Sequence, residues 1–116
     1  MRHRSKKVIL DRKKAPRQAL LSSLICQVIL YEKIRTTEAK AKAVKPLVEK
    51  IITRAKTDTL ANRRLVIARL PIKKAAKKAF EVLGPRYQER KGGYLRIIKI
   101  GPRNGDGAKM VQLELV

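Results

Sequence analysis

The chain has 116 residues, enough for one domain and too few for two. Hydrophobic residues make up 44% of it, a globular share that argues against disorder along its whole length. Thirty Lys and Arg stand against nine acids for a net charge of +21, which repels itself in a compact monomer and attracts polyanions at long range.

Of the two polyanions at issue, nucleic acid and an acidic membrane surface, the first fits better. The longest apolar stretch, Leu24 to Tyr31, is interrupted by Gln27 and falls far short of the roughly 20 residues that span a bilayer. Aromatic residues are only Phe80, Tyr31, Tyr87 and Tyr94, too few to stack several bases of a single strand. Structured RNA or a duplex gripped through its phosphates is the better match. Cys26 is the single cysteine, so an intramolecular disulfide is excluded; placed inside an apolar run, it reads as core filling in a reducing compartment.

Residues 1–14 form a basic arm. Arg2, Arg4, Lys6, Lys7, Arg12, Lys13 and Lys14 surround one small apolar anchor, Val8-Ile9-Leu10. Cations this dense, with only Asp11 nearby, favour RNA contact over salt bridges, and such arms are typically disordered until a polyanion neutralises them. The remainder, 15–116, reads as a single domain.

Pro16 suits a first helical turn. Leu20, Leu21, Leu24, Ile25, Val28 and Ile29 then recur at three- and four-residue spacing, which predicts a helix from about 16 to 32. Ile34 to Thr37 is a brief β-branched strand, with Thr37 able to cap the next helix. That helix, about 38 to 56, buries Val44, Leu47, Val48, Ile51, Ile52 and Ala55, and spaces Glu38 with Lys42 and Lys45 with Glu49 for outer-face pairing. Pro46 inside it should kink or break it.

Asp58 or Thr59 caps a third helix through Leu70, which Pro71 ends. A fourth, about 72 to 83, buries Ile72, Ala76, Ala79, Phe80 and Leu83, sets Lys73, Lys74, Lys77 and Lys78 on its outer side, and stops at Gly84-Pro85. Tyr94 to Ile100 and Lys109 to Leu115 are strands, the second alternating Val111, Leu113 and Leu115 against Met110, Gln112 and Glu114. The loop between them holds Asn104-Gly105 and Asp106-Gly107, which favour positive φ. The expected fold is α+β: a two-layer domain of about four helices packed on a small mixed or antiparallel sheet that includes a C-terminal β-hairpin.

Catalytic chemistry finds little material. His3 is the only histidine and lies in the arm, Cys26 has no partner cysteine for zinc, and no phosphate-binding glycine loop follows a strand. Asp106 reads as a turn residue. The reading is therefore non-enzymatic, with no cofactor, metal or small-molecule substrate.

The cationic clusters carry more. Gly84 to Arg96 combines Arg86, Arg90, Lys91 and Arg96 with Tyr87, Tyr94, Gly92 and Gly93. Arginine forks suit bidentate phosphate binding, and glycines let backbone amides approach a phosphate. Lacking apolar periodicity, this stretch should leave Arg86 and Arg90 pointing to solvent, with Glu89 as a competing partner. Tyr94 reads as packed; Tyr87 either stacks on a base or packs. A second set, Arg54, Lys56, Arg63 and Arg64, gathers at a helix–helix junction.

Taken together, Met1-Arg-His-Arg4, Arg17 to Leu21, Ile34-Arg-Thr-Thr37 with Ala41-Lys42, Ala55-Lys-Thr-Asp58 with Asn62-Arg-Arg64, Leu83-Gly-Pro-Arg-Tyr87 with Arg90, Gly92-Gly-Tyr94 and Arg96, and Gly105-Asp106 with Glu114-Leu-Val116 resemble the bacterial-type large-subunit ribosomal protein seventeen family. The resemblance runs almost end to end. It departs at Ser5 to Arg12, where the family tends to a Gly-Arg-Lys-Leu-like stretch, and around Pro102 to Gly105. It implies an α+β fold, binding to large-subunit (23S-type) rRNA, and a place near the nascent-chain tunnel exit beside neighbouring ribosomal proteins, on a cytoplasmic or organellar ribosome. Carried residue by residue, it adds His3, Arg17, Arg35, Thr36, Thr37 and Lys42 to the RNA-binding set, to which Arg103 in the hairpin loop is joined as a further cation. The alternatives are a sequence-independent, nucleoid-type DNA-binding protein, for which a groove-entering helix or clear dimerisation is expected, and a cationic membrane-surface protein.

Overall fold

The computed structural model describes Leu10 and residues 13–116. Val8, Ile9 and most of the arm's cations (Arg2, Arg4, Lys6, Lys7 and Arg12, together with His3) lie outside the described residues.

Helix α1 (Lys14–Tyr31) presents Leu24, Ile25, Val28 and Ile29 to the core, as their spacing demands. It ends at Glu32, a non-glycine residue in the left-handed region at φ 63° whose amide donates to Val28 O at 2.8 Å. Strand β1 (Lys33–Thr37) leads directly into α2 (Glu38–Ala55), capped by the Thr37 hydroxyl, which accepts from the Lys40 amide at 3.4 Å. Of the two expected effects of Pro46, the break does not occur: α2 continues through it. The proline sits on the exposed side, where water can serve the Lys42 carbonyl that loses its donor. The Lys45–Glu49 pair does not form; Glu49 instead accepts the Tyr94 amide at 3.2 Å.

Helix α3 (Leu60–Arg69) is capped by Thr59, which accepts from the Asn62 amide at 3.2 Å, so the choice between Asp58 and Thr59 falls to the threonine. Its neighbour α4 (Lys73–Lys78) passes into a π-helical stretch, Ala79–Leu83, and a last turn, α5 (Gly84–Arg86). Gly84-Pro85 therefore does not stop the helix. The π turn widens the ladder just before the residue that has no N–H to give. Ile72, expected in the core, is 42% exposed because it precedes the helix rather than lying on its inner face.

The sheet is wholly antiparallel in the order β1-β3-β2, with β2 at Leu95–Pro102 and β3 at Lys109–Leu115. Pairing of Ile34 with Leu113, Thr36 with Val111 and Leu95 with Leu115 puts one apolar face under the helices. The register shifts between Lys99 and Gly101, so Ile100 is the extra, exposed residue of a bulge. Past it the strand continues to Pro102, two residues beyond the expected end, on an edge that tolerates a proline. The core joins the two layers through Ile25, Ile29, Val48, Ile52, Leu83 and Leu113, with Cys26 fully enclosed as expected.

Candidate nucleic-acid interface

The two basic clusters expected from the sequence are brought into one neighbourhood by Lys56. Its ammonium donates to the Arg90 carbonyl at 2.5 Å and to the Tyr94 hydroxyl at 3.2 Å, and lies 5.5 Å from the centre of the Tyr94 ring. The end of α2 is thereby tied to the 87–94 turn. Burial pushes the Tyr94 phenol up, but hydrogen bonds from Thr53, Lys56 and the Gly92 amide outweigh it and hold the group below its usual value.

Both tyrosines pack. Tyr87 is 4% exposed, tilts against Tyr94 with ring centres 5.2 Å apart, and donates its hydroxyl to the Val116 carbonyl at 2.8 Å. This settles the alternatives for Tyr87 against base stacking: neither ring offers a free face. Gly92 and Gly93 have φ of 85° and 62°, so the turn needs them for its left-handed backbone, and Gly93 O is held by Arg90 Nε at 3.2 Å.

Arg86 is a correction. Expected to point freely to solvent, it is held by Glu32, which also binds Lys78 at 3.2 Å; Glu89 is not the partner. Lys78 in addition donates to the Leu30 carbonyl at 3.0 Å, so of the four lysines on α4 only Lys73, Lys74 and Lys77 remain on the open side. The Arg86 hydrogen bond, with help from Lys78, keeps the Glu32 carboxyl below its ordinary range against the opposing effect of burial. This latch fastens the end of α1 to the α4–π–α5 rod, and the Glu32 carbonyl accepts from the Leu115 amide at 2.9 Å.

Other arginines are similarly engaged. Arg63 grips Asp58 at 2.7 Å and lies over the Phe80 ring, Arg96 pairs across the sheet with Glu114 at 2.5 Å, and Arg103 holds Asp106 within the hairpin loop at 3.0 Å. Lys42 pairs with Glu38 at 2.9 Å, as its spacing predicts. Arg17 and Thr36 are 7% and 8% exposed and offer almost no surface to a polyanion; Thr37 serves as the α2 cap. Among the described residues, Lys13, Lys14, Arg35, Arg54, Arg64 and Lys91 are exposed with no ion-pair partner, and Arg90 keeps the rest of its fork. The anticipated four-cation junction is thus divided: Arg54 and Arg64 remain open while Lys56 and Arg63 are held.

A family model described as ribosomal protein L17 matches residues 20–116. The chain belongs to the ribosomal protein L17 family. Curated L17 proteins agree along its length: one named large ribosomal subunit protein bL17 from Solibacter usitatus is 52% identical over the whole chain and 77% of its own length. Proteins of the same name from Carboxydothermus hydrogenoformans and Natranaerobius thermophilus are 50% and 53% identical over 92% of the chain and 96% and 95% of theirs. Against this L17 framework, sequence reasoning missed Glu32 and Lys78 as the latch, and Lys50 and Arg69 as exposed cations beside Arg54. The four-residue spacing of Lys50 with Arg54 and of Leu65 with Arg69 was the available signal for the second pair.

Proposed function

We propose that this L17-family chain is a structural constituent of the large ribosomal subunit that binds and stabilises 23S-type rRNA near the nascent-chain tunnel exit, beside other large-subunit proteins, and is not an enzyme. What supports the reading is identity of about half, over 92% of the chain or more, to proteins that carry the large-subunit name, joined to a net charge of +21 that suits a polyanionic partner. Enclosure of Cys26, where burial pushes the thiol up, argues against it as a nucleophile. On this reading the RNA meets the arm through Arg2, Arg4, Lys6, Lys7, Arg12, Lys13 and Lys14, and the open cations Arg35, Arg64, Arg90 and Lys91. The arginines already bound to carboxylates shape the surface more than they grip phosphates. The ribosome concerned is cytoplasmic or organellar.

The test combines sedimentation and salt titration. The tagged chain should stay with large subunits through a high-salt wash. Its affinity for an rRNA fragment should fall with salt at a log–log slope of magnitude at least about 5, each phosphate contact contributing roughly 0.7 to 0.9. Reversing charge at Arg64, Arg90 and Lys91 together should lower affinity at least about tenfold, while Arg86→Ala changes it little. A flat salt dependence, or co-fractionation with chromatin or membranes, rejects the proposal.

A further inference from the structure

Helix α3 is poorly covered: it buries only Val66, yet shows Leu60, Leu65 and Ile67 at 67%, 49% and 53% exposure. On the α2 side it leaves a cleft of about 380 Å3, floored by Leu47, Ile51 and Leu65 and rimmed by Lys50, Arg54 and Arg69. Among the described residues none of these three cations has an ion-pair partner, a state they share with most of the described Lys and Arg; what sets them apart is the apolar floor they surround. An apolar floor ringed by uncompensated positive charge is a surface with a specific complement.

Phosphates would meet only the rim and leave the apolar floor in water, and a base fares no better. Among the described residues no aromatic ring lines the cleft, and apart from its cations it offers no side chain that hydrogen-bonds. A base placed there would find nothing to stack on and nothing to read its edge. Aliphatic side chains, by contrast, would be desolvated on the floor while carboxylates beside them met the rim. Two helix flanks with this pattern are the receptor half of helix-in-groove recognition, in which anchors at i and i+4 enter an apolar channel.

We propose that the α2–α3 groove docks a short, acidic amphipathic helix of another protein, its apolar anchors on Leu47, Ile51 and Leu65 and its carboxylates on Lys50, Arg54 and Arg69. Arg54, expected from the sequence to meet RNA, is thereby assigned to a protein partner. The assignment does not depend on the rRNA reading.

The test uses the full chain with isotope-labelled Ile, Leu and Val methyls. The probe is a capped synthetic helix of about 14 residues, with two Leu four apart and Glu on both flanks. A peptide of identical composition with the leucines on opposite faces is the control, since so basic a chain attracts any acidic peptide. Near-physiological salt screens that general attraction. The patterned peptide should shift the methyls of Leu47, Ile51, Leu65 and Val66 saturably and bind at least about tenfold more tightly than the control. Leu65→Asp should remove that preference; because Leu65 is half exposed, the fold should survive it. Arg69→Glu, wholly on the surface, repeats the test should Leu65→Asp melt early. Equal binding of the two peptides, methyl shifts elsewhere, or unchanged affinity in Arg69→Glu overturns the proposal. A single-stranded oligonucleotide that shifts these same methyls more tightly than the peptide also overturns it, in favour of RNA.

Discussion

At position 84 the missing side chain is what lets two helices touch. A Cβ there would lie 2.4 Å from the Ala55 carbonyl oxygen and 3.0 Å from its carbon, backbone atoms that cannot swing aside. Gly93 is needed for the opposite reason: a Cβ would meet nothing within 4 Å, but its φ of 62° is one that side-chain-bearing residues avoid. The two alanine substitutions should therefore separate in size. Gly84→Ala should cost about 3 kcal/mol, the upper end for overpacking against rigid structure, because α2 and the π–α5 rod must move apart. Gly93→Ala should cost about 1 kcal/mol of local backbone strain. Urea unfolding of both measures the difference, and a Gly84→Ala protein as stable as its parent would mean that the helices do not meet there.

Elements show which parts of the fold could be read in advance. α3 buries little, so its cap matters: Thr59→Ala should cost about 1 kcal/mol and speed amide exchange through the helix. Asp58→Ala removes only an exposed ion pair and should leave that exchange nearly unchanged; the reverse order would return the cap to Asp58. Pro46→Ala should raise stability by about 1 to 3 kcal/mol, since α2 already continues through the position and regains a donor to Lys42 O. A loss of stability would show that the proline shapes the helix. The α1, α2 and β3 boundaries were legible because apolar spacing reports an element's own period. Gly84-Pro85 misled because glycine before proline is the usual helix stop, and only a neighbour 29 positions away in the chain, Ala55, reveals that this glycine is there for contact. The candidate site was legible as charge but not as arrangement. Nothing local tells Arg86 to turn to Glu32, 54 residues away, or Lys56 to reach Tyr94, 38 away. Partner choice between cations is decided by how layers pack, after the elements exist.

For the molecule as a whole, the few acids bear on stability out of proportion to their number. Glu32, Glu38, Asp58, Asp106 and Glu114 each accept from a Lys or Arg, and in every one that side-chain hydrogen bond is the main cause of a carboxyl held below its ordinary value. A group depressed by folding contributes stability that is present above its unfolded pKa, near 4.5 for Glu and 3.8 for Asp, and that is lost as pH falls through the lower folded value. Protonation has a second effect of the same sign. Neutralising nine carboxylates adds nine charges to a chain already at +21, so self-repulsion rises as the latches open. Salt acts in two directions: it weakens exposed pairs, which individually contribute little, and screens a repulsion summed over the entire surface. The second effect should win. Melting followed by circular dichroism should therefore give a Tm nearly level from about pH 8 to 5.5, then a steep fall below about pH 4.5. Raising salt from low to near-physiological strength should lift Tm at pH 7, and lift it more at pH 4. A Tm indifferent to pH between 5 and 3 would mean the five pairs contribute nothing. A Tm that drops with salt at neutral pH would mean that the ion pairs, and not the excess of positive charge, dominate the electrostatics of the free chain.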